Sequence, residues 1–427
     1  MTISGARRSL RLAAVLMALA LPAQHASALE GYFQHGYGAR HKALAGAGAA
    51  DGRDATIAVI NPAGLVHASN EIDTAYSIFS PAREMEGSGE PGLTPLGKYE
   101  SNTLQFFVPN LAAAYRVSGN PFIDVVGISV WGNGASTNYG DWPRPAPDCG
   151  PDGGTGLYCT GRAGVDLQQM FLTLALAKQI TPELSVGIAP ALVRQQFRAK
   201  VLQRFAPVSN SVDGEWGYGI SAGVEWSIAS NFRFGGAIAS RTYVGAFEKY
   251  GDLLAGHGDC DVPAYGQAGI AYDAQPNLTL MLDYQYIAYG SVPCVANPAT
   301  NMLIAPFGAD DGPAFGWRDL NVVKLGIEWR YTPDLALRAG YAYNTPLFGG
   351  RDVELAILAP ATTQHHITAG GEWRIDRDWS IEIAGMYAPE TVVKGSEIIP
   401  GPAHDVATST EQYEVTLGIK YYYDARP

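Results

Sequence analysis

The sequence predicts an all-β fold, a transmembrane antiparallel β-barrel of about 14 strands. Three observations predict it. Amphipathic strand-like segments follow one another from Glu71 to Tyr423, and their connections alternate between very short and very long. No segment after the N-terminus carries the ~18 consecutive apolar residues of a helical span. Short connections such as Thr181-Pro182-Glu183, Thr332-Pro333-Asp334 and Asp376-Arg377-Asp378 alternate with stretches as long as 134–164 and 291–317. A soluble sandwich has no reason to sort its loops by length at every second turn. A barrel assembled from one side of a membrane does.

From the N-terminus, residues 1–28 read as a secretory signal, with Arg7, Arg8 and Arg11 before the apolar run Leu12 to Leu21 and an Ala26-Ser27-Ala28 cleavage site. Residues 29–70 form a second unit, rich in Gly and Ala and without a strand period. Residues 71–427 form the barrel. Its strands are expected at 71–81, 103–117, 121–133, 165–180, 183–205, 212–228, 231–247, 263–274, 276–290, 318–332, 334–344, 364–376, 378–390 and 411–423.

Alternation assigns the faces. Strand 318–332 sets Val323, Leu325, Ile327, Trp329 and Tyr331 against Lys324, Gly326, Glu328 and Arg330. The last strand sets Tyr413, Val415, Leu417, Ile419, Tyr421 and Tyr423 against Glu414, Thr416, Gly418 and Lys420. A barrel this wide cannot fill its interior with side chains, so the apolar face meets lipid and the polar face the lumen. Trp226, Phe232, Trp329, Tyr331, Trp373, Trp379 and Tyr423 share the apolar parity near short turns or the C-terminus, as a periplasmic aromatic girdle would. Tyr286, Tyr343 and Tyr387 suit the opposite belt.

Composition agrees. The 427 residues suit one large barrel, only 16% are charged, and 50 Gly and 23 Tyr favour strands over helices. Without the three Arg of the signal, 26 basic residues face 41 acidic ones, a net charge of −15 that argues against nucleic acid as a partner. Four cysteines, Cys149, Cys159, Cys260 and Cys294, fall in long loops on one side of the barrel and suit an oxidising compartment. Three pairings are open; Cys149–Cys159 with Cys260–Cys294 needs the least chain movement.

An enzyme is not expected. A barrel-borne lipase needs a Ser–His pair on the outer wall, but His365 and His366 are adjacent in a strand and point to opposite faces. No G-x-S-x-G and no phosphate-binding Gly loop occurs. His35, His41 and His67 show no ligand spacing and read as solvated residues; neither a metal nor a cofactor is expected.

The chain resembles the FadL-type outer-membrane transporters of long-chain fatty acids and other hydrophobic compounds. The resemblance rests on a series of segments in order: Asn61-Pro62-Ala63, Val108-Pro109, Gly134-Ala135-Ser136-Thr137-Asn138-Tyr139 and Asp213-Gly214-Glu215-Trp216-Gly217-Tyr218-Gly219. Phe232-Arg233-Phe234-Gly235, Ser240-Arg241, Lys324-Leu325-Gly326-Ile327-Glu328-Trp329, Leu337-Arg338-Ala339-Gly340-Tyr341 and His365-His366-Ile367-Thr368 complete it. It implies an outer-membrane channel for passive uptake of hydrophobic compounds, its lumen plugged by an N-terminal hatch. Ligand would be captured at the extracellular loops and released sideways at a kinked third strand. Asn61, Pro62 and Ala63 are carried over as the plug motif facing that opening. Gly132-Asn133-Gly134 is the candidate kink, because Gly interrupts pairing and permits a bulge; an ordinary strand-end turn is the alternative.

The expected partners are the bilayer, a hydrophobic small molecule and the barrel assembly machinery, whose insertion signal Thr416-x-Gly418-x-x-Tyr421-x-Tyr423 resembles. A monomer is expected. A general diffusion porin for small polar solutes is the second reading, and the long pre-barrel segment counts against it. A purely structural barrel is third.

Inside the lumen, turn geometry sets Glu328 opposite Arg338 and Glu372 opposite Glu382, a girdle of three acids and one base. Two facing Glu repel unless a cation lies between them. The hatch carries Arg40, His41, Lys42 and Arg53. One expectation is that Arg40, Lys42 or Arg53 docks on the girdle; the other is a solvated lumen with the Glu pair facing water.

Overall fold

The computed structural model describes residues 30–145, 149–200, 202, 204–207, 209–398 and 403–423; the signal read over residues 1–28 lies outside them. Fourteen strands form the wall: β1 (Glu71–Gly89), β2 (Phe106–Arg116), β3 (Val125–Ser136), β4 (Gly164–Gln179), β5 (Leu184–Lys200), β6 (Asp213–Ala229) and β7 (Phe232–Ala239). They continue as β8 (Tyr265–Gln275), β9 (Leu278–Ile287), β10 (Leu320–Thr332), β11 (Leu335–Asn344), β12 (His365–Arg374), β13 (Trp379–Ser396) and β14 (His404–Tyr422). Every strand pairs antiparallel with its neighbours in the chain. β14 returns to β1 from Glu71 opposite Tyr422 to Gly89 opposite His404, which closes the sheet.

β1, β13 and β14 run further than alternation predicts, because the extra residues no longer alternate apolar with polar. Glu84, Glu86 and Lys394 take outward positions there while the ladder continues, from Thr391 opposite Thr410 to Ser396 opposite Asp405. β7 is shorter than expected, ending at Ala239 instead of 247; Tyr243 and Val244 then pair with Tyr218 and Gly217 of β6.

The faces fall as alternation requires. Val323, Leu325, Ile327, Trp329 and Tyr331 are exposed, whereas Lys324 and Glu328 between them are each 2% exposed. Among the girdle aromatics, Trp226, Trp329, Tyr331 and Trp373 are exposed near the short turns, and Tyr286, Tyr343 and Tyr387 are exposed towards the long loops.

Residues 30–70 lie inside the barrel, almost all buried. Helix α1 (Gly38–Ala43) packs on β11–β14 and β1, and a 3-10 turn at Pro62–His67 packs on β4–β6. The turn begins as sequence rules require: Asn61 is the N-cap, its side chain accepting from Ala63 N at 3.1 Å, and Pro62 takes the first position, where a missing N–H costs nothing. Gly187 on β5 and Gly223 on β6 lie where a Cβ would overlap Pro62 and Asn61, so their lack of one lets the turn reach the wall. Disulfides Cys149–Cys159 and Cys260–Cys294 staple the long loops, with Cα atoms 5.4 and 5.6 Å apart.

Candidate functional site

The lumen has two unlike halves. On the β10–β14 side, the girdle is assembled around Arg338. Its guanidinium reaches Glu328 at 2.9 Å, Glu382 at 2.8 Å and Glu372 at 2.5 Å. Register places Glu328 opposite Arg338 and Glu372 opposite Glu382. The cations between the two Glu come from the wall: Arg338, and Lys420 of β14, 3.1 Å from Glu382 and 3.6 Å from Glu372. The Glu pair therefore faces cations.

From the lumenal segment, Arg40 donates to Glu328 at 2.9 Å and to Asp51 at 2.5 Å, and Arg53 donates to Glu328 at 3.0 Å. Lys42 does not reach the girdle; it bonds Glu414 and, at 2.8 Å, Ser77. Burial alone would lower the pKa of Arg40, but the Glu328 and Asp51 carboxylates raise it above the ordinary guanidinium range. Burial lowers Lys42, against the opposing pull of Glu414. His35 and His41 are fully buried, contrary to their reading as solvated residues, while His67 is exposed and lies 3.1 Å from Glu225. Burial, then Lys42 and Lys324, hold the His35 imidazole well below its usual range. Sequence reasoning missed Glu414, Lys420 and Lys324 as network members, though each sits on the polar parity of its strand.

On the β2–β5 side the wall is open. β2 and β3 pair only from Leu111 opposite Val130 to Arg116 opposite Val125. Above that, 106–110 and 131–136 are not paired with each other, and Pro109 has no N–H to give. The register of β3 with β4 runs unbroken through Gly132, Asn133 and Gly134, so these residues form no bulge. The freed edge of β3 turns to the lumenal segment instead: Gly134 N donates to Tyr32 O at 3.0 Å, Gln34 Nε2 to Gly132 O, and Tyr37 OH to Asn133 Oδ1 at 3.2 Å. A cavity of about 180 Å³ lies at the gap, lined by Phe107, Val108 and Pro109 of β2, by Val130, Trp131 and Gly132 of β3, and beyond them by Gln168, Gln169, Met170, Arg194 and Gln196.

Asn61, Pro62 and Ala63 are placed elsewhere. Asn61 Nδ2 donates to Ala49 O at 2.7 Å and to Val224 O at 3.0 Å, and Ser185 Oγ donates to Ala63 O at 3.1 Å. That motif pegs the segment to β5 and β6, because an amide beside Pro is suited to capping a turn. Tyr32, Gln34 and Tyr37 are what meets Gly132–Gly134.

Above the gap lies a second, smaller cavity of about 40 Å³ under the loops. Phe197, Phe247, Leu254, Val295, Trp317 and the Cys260–Cys294 bridge line it. Gln169 borders both cavities. Asp261 also borders the upper one, where Arg241 neutralises it at 3.0 Å. No group of three or more His, Cys, Asp or Glu suited to a metal occurs among the described residues.

The whole architecture has counterparts. The TodX toluene transporter of P. putida superposes with a TM-score of 0.65 at 17% identity, over 92% of this chain and 100% of that one. The Ralstonia pickettii toluene transporter TbuX gives 0.60 at 16% identity, over 91% and 99%. A Pseudomonas aeruginosa FadL homologue gives 0.64 at 14% identity, over 92% and 99%. At such identities the likeness is one of fold. No curated protein matches the sequence. The family model for "Outer membrane protein transport protein (OMPP1/FadL/TodX)" matches residues 23–424. The chain therefore belongs to that family, as a β-barrel transport channel of the outer membrane and not an enzyme.

Proposed function

We propose that this channel takes up small hydrophobic compounds passively, capturing them under the disulfide-stapled loops and releasing them sideways through the gap between β2 and β3. The observation that carries this reading is the gap itself: an interrupted ladder in an otherwise closed wall, with a cavity spanning it. Residues 30–70 serve as the plug. They fill the lumen and reach the gap through Tyr32, Gln34 and Tyr37, so a straight path to the periplasm is closed.

Size favours a compact ligand. An apolar cavity of about 150 Å³ admits benzene, and the gap holds about 180 Å³. TodX and TbuX are described as toluene transporters, which agrees with a single-ring substrate. Such a molecule gains about 0.8 kcal/mol for each buried CH₂, so the polar saccharide layer outside the cell is its barrier. An apolar conduit that opens into the bilayer removes that barrier and needs no energy source.

Proteoliposomes test the reading against a general diffusion porin. The channel should pass toluene into vesicles and leave them impermeable to glucose in a swelling assay. Swelling in glucose without faster toluene uptake would replace this reading with the porin.

A further inference from the structure

Three adjacent strands present a carboxamide to the lumen at one height. Asn133 of β3 stands opposite Gln169 of β4, and Gln169 stands opposite Gln195 of β5. All three are at most 3% exposed. Gln34 of the plug closes the row from inside, its backbone N–H 3.4 Å from Asn133 Oδ1. The rows on either side are apolar. Ala135, Leu167 and Phe197 lie above, bordering the upper cavity, and Trp131, Phe171 and Val193 lie below, with Trp131 stacked on Phe171 at 4.0 Å. A substrate passing from the loop cavity to the wall gap must cross this polar row, since Gln169 borders both.

The row is only partly satisfied. Gln169 Nε2 donates to Gln195 Oε1 at 2.7 Å, and Gln195 Nε2 donates to Cys260 O at 2.7 Å. Gln34 Nε2 is committed to Gly132 O, and Asn133 Oδ1 accepts from Tyr37 OH and Gln34 N. What is left is Gln34 Oε1, Gln169 Oε1 and Asn133 Nδ2, two acceptors and one donor, buried and without a partner. The amide orientations follow from the network: Gly132 O can only accept and Gln34 N only donate, which fixes Gln34 and Asn133, and Cys260 O can only accept, which fixes Gln195 and through it Gln169. A buried polar atom left unpaired costs about 1–3 kcal/mol. Carrying three of them where the strands could carry apolar residues suits a passing group that both donates and accepts. Among the described residues, no Lys or Arg hydrogen bonds to any of these amides; Arg194, which borders the gap cavity with Gln169, lies over the Trp216 ring at 5.3 Å.

We propose that the amide row receives the uncharged polar group of the substrate. The channel then prefers hydroxyl-bearing hydrocarbons to the parent hydrocarbons and to carboxylates. The inference rests on the channel reading above and names its substrate class. The hydroxyl fills both roles, with Asn133 Nδ2 donating to its oxygen and an amide oxygen accepting its proton. A methyl group in that place forms no hydrogen bond.

The test compares three ligands of one shape, 4-methylbenzyl alcohol, p-xylene and 4-methylbenzoate, for affinity to the purified full-length protein, each corrected for its partition into detergent. The alcohol should bind about tenfold more tightly than p-xylene, the worth of one to two hydrogen bonds, and the benzoate most weakly. Gln169→Leu should erase the preference for the alcohol over p-xylene, read as the ratio of the two affinities. Gln34→Leu, in the plug and outside the wall, provides the same readout should Gln169→Leu fail to insert. Equal affinity for alcohol and p-xylene, or strongest binding of the benzoate, would overturn the inference and leave the channel standing. Binding of none of the three would overturn both.

Discussion

The two halves of the lumen solve opposite problems with the same strand geometry. From β10 to β14, inward positions carry Glu328, Arg338, Glu372, Glu382 and Lys420, and each carboxylate of the girdle meets at least one cation. From β3 to β5, the inward positions near the gap carry amides and aromatic rings, and the ladder to β2 lapses. Charge networks demand mutual satisfaction and so fix the plug; half-satisfied amides beside an interrupted ladder leave room for a guest. On the proposed function, one half anchors and the other conducts.

Removing the shared carboxylate should break the anchoring half most severely. Glu328→Ala leaves the buried Arg40 and Arg338, and the half-buried Arg53, with fewer partners. Breaking a buried ionic network on one side costs about 3–5 kcal/mol. The folded band should lose its heat resistance on gels, and the plug should become accessible to protease. A variant as heat-resistant as the parent would mean that the girdle does not hold the plug.

A smaller loss is expected at the loops. Replacing both Cys260 and Cys294 by Ser frees two loops that the bridge joins across 34 residues. Disulfides of this kind contribute about 2–4 kcal/mol, and the melting temperature should fall accordingly. Because the bridge also borders the upper cavity, ligand affinity should fall with it, whereas Cys149→Ser with Cys159→Ser should spare affinity. Equal effects of the two pairs would separate the cavity from the Cys260 loop.

Asn61→Leu sharpens the contrast between anchoring and conduction. It deletes the turn cap and the bonds to Ala49 and Val224, at a cost of about 1–3 kcal/mol. Thermal stability should drop while toluene uptake persists, since the motif lies against β5 and β6 and not at the gap. Uptake abolished at unchanged stability would return the motif to the gate.

The mildest effect is that of pH. In the unfolded chain His35 binds a proton below its ordinary value of 6.5; in the fold, burial, Lys42 and Lys324 lower that value. The unfolded state then binds more protons, so stability falls as pH drops through about 6.5, by no more than about 1.4 kcal/mol per unit. Melting temperatures of the parent and of His35→Gln, taken at pH 7.5 and 5.5, should diverge at the acid end. Parallel curves would exclude His35 as the source.

Much of this was legible in the sequence because a membrane wall enforces period 2. The barrel, its face assignment and the Glu328–Arg338 and Glu372–Glu382 pairings all follow from alternation counted out from short turns. Above the apolar band the enforcement ends, which is why β1, β13 and β14 were read short. The docking partners of the plug were legible only in kind. Arg40 and Arg53 reach the girdle, but Lys42 turns to Glu414, because pairing between a helix and a wall obeys no sequence spacing. Glycine at 132 and 134 suggests a kink in β3, but β3 stays paired to β4 there; the lapse lies between β2 and β3, beside Pro109. Asn61-Pro62-Ala63 was read as the gate's partner, and its chemistry is instead that of a helix cap.

The account's central claim is that substrate leaves through the wall between β2 and β3. Pro109→Cys with Val130→Cys places two thiols where the ladder lapses, one on each strand and both lining the cavity. Ile367→Cys with Tyr387→Cys places two across the paired β12–β13 seam, where they stand opposite each other. Each pair is joined by a short bifunctional thiol reagent in the folded protein, and toluene uptake into proteoliposomes is compared with that of the unreacted variant. Bridging the gap should abolish the channel-dependent uptake, and bridging the seam should leave it at the parent rate. Unchanged uptake through a barrel bridged at the gap would contradict lateral release and route the substrate down the lumen past the plug.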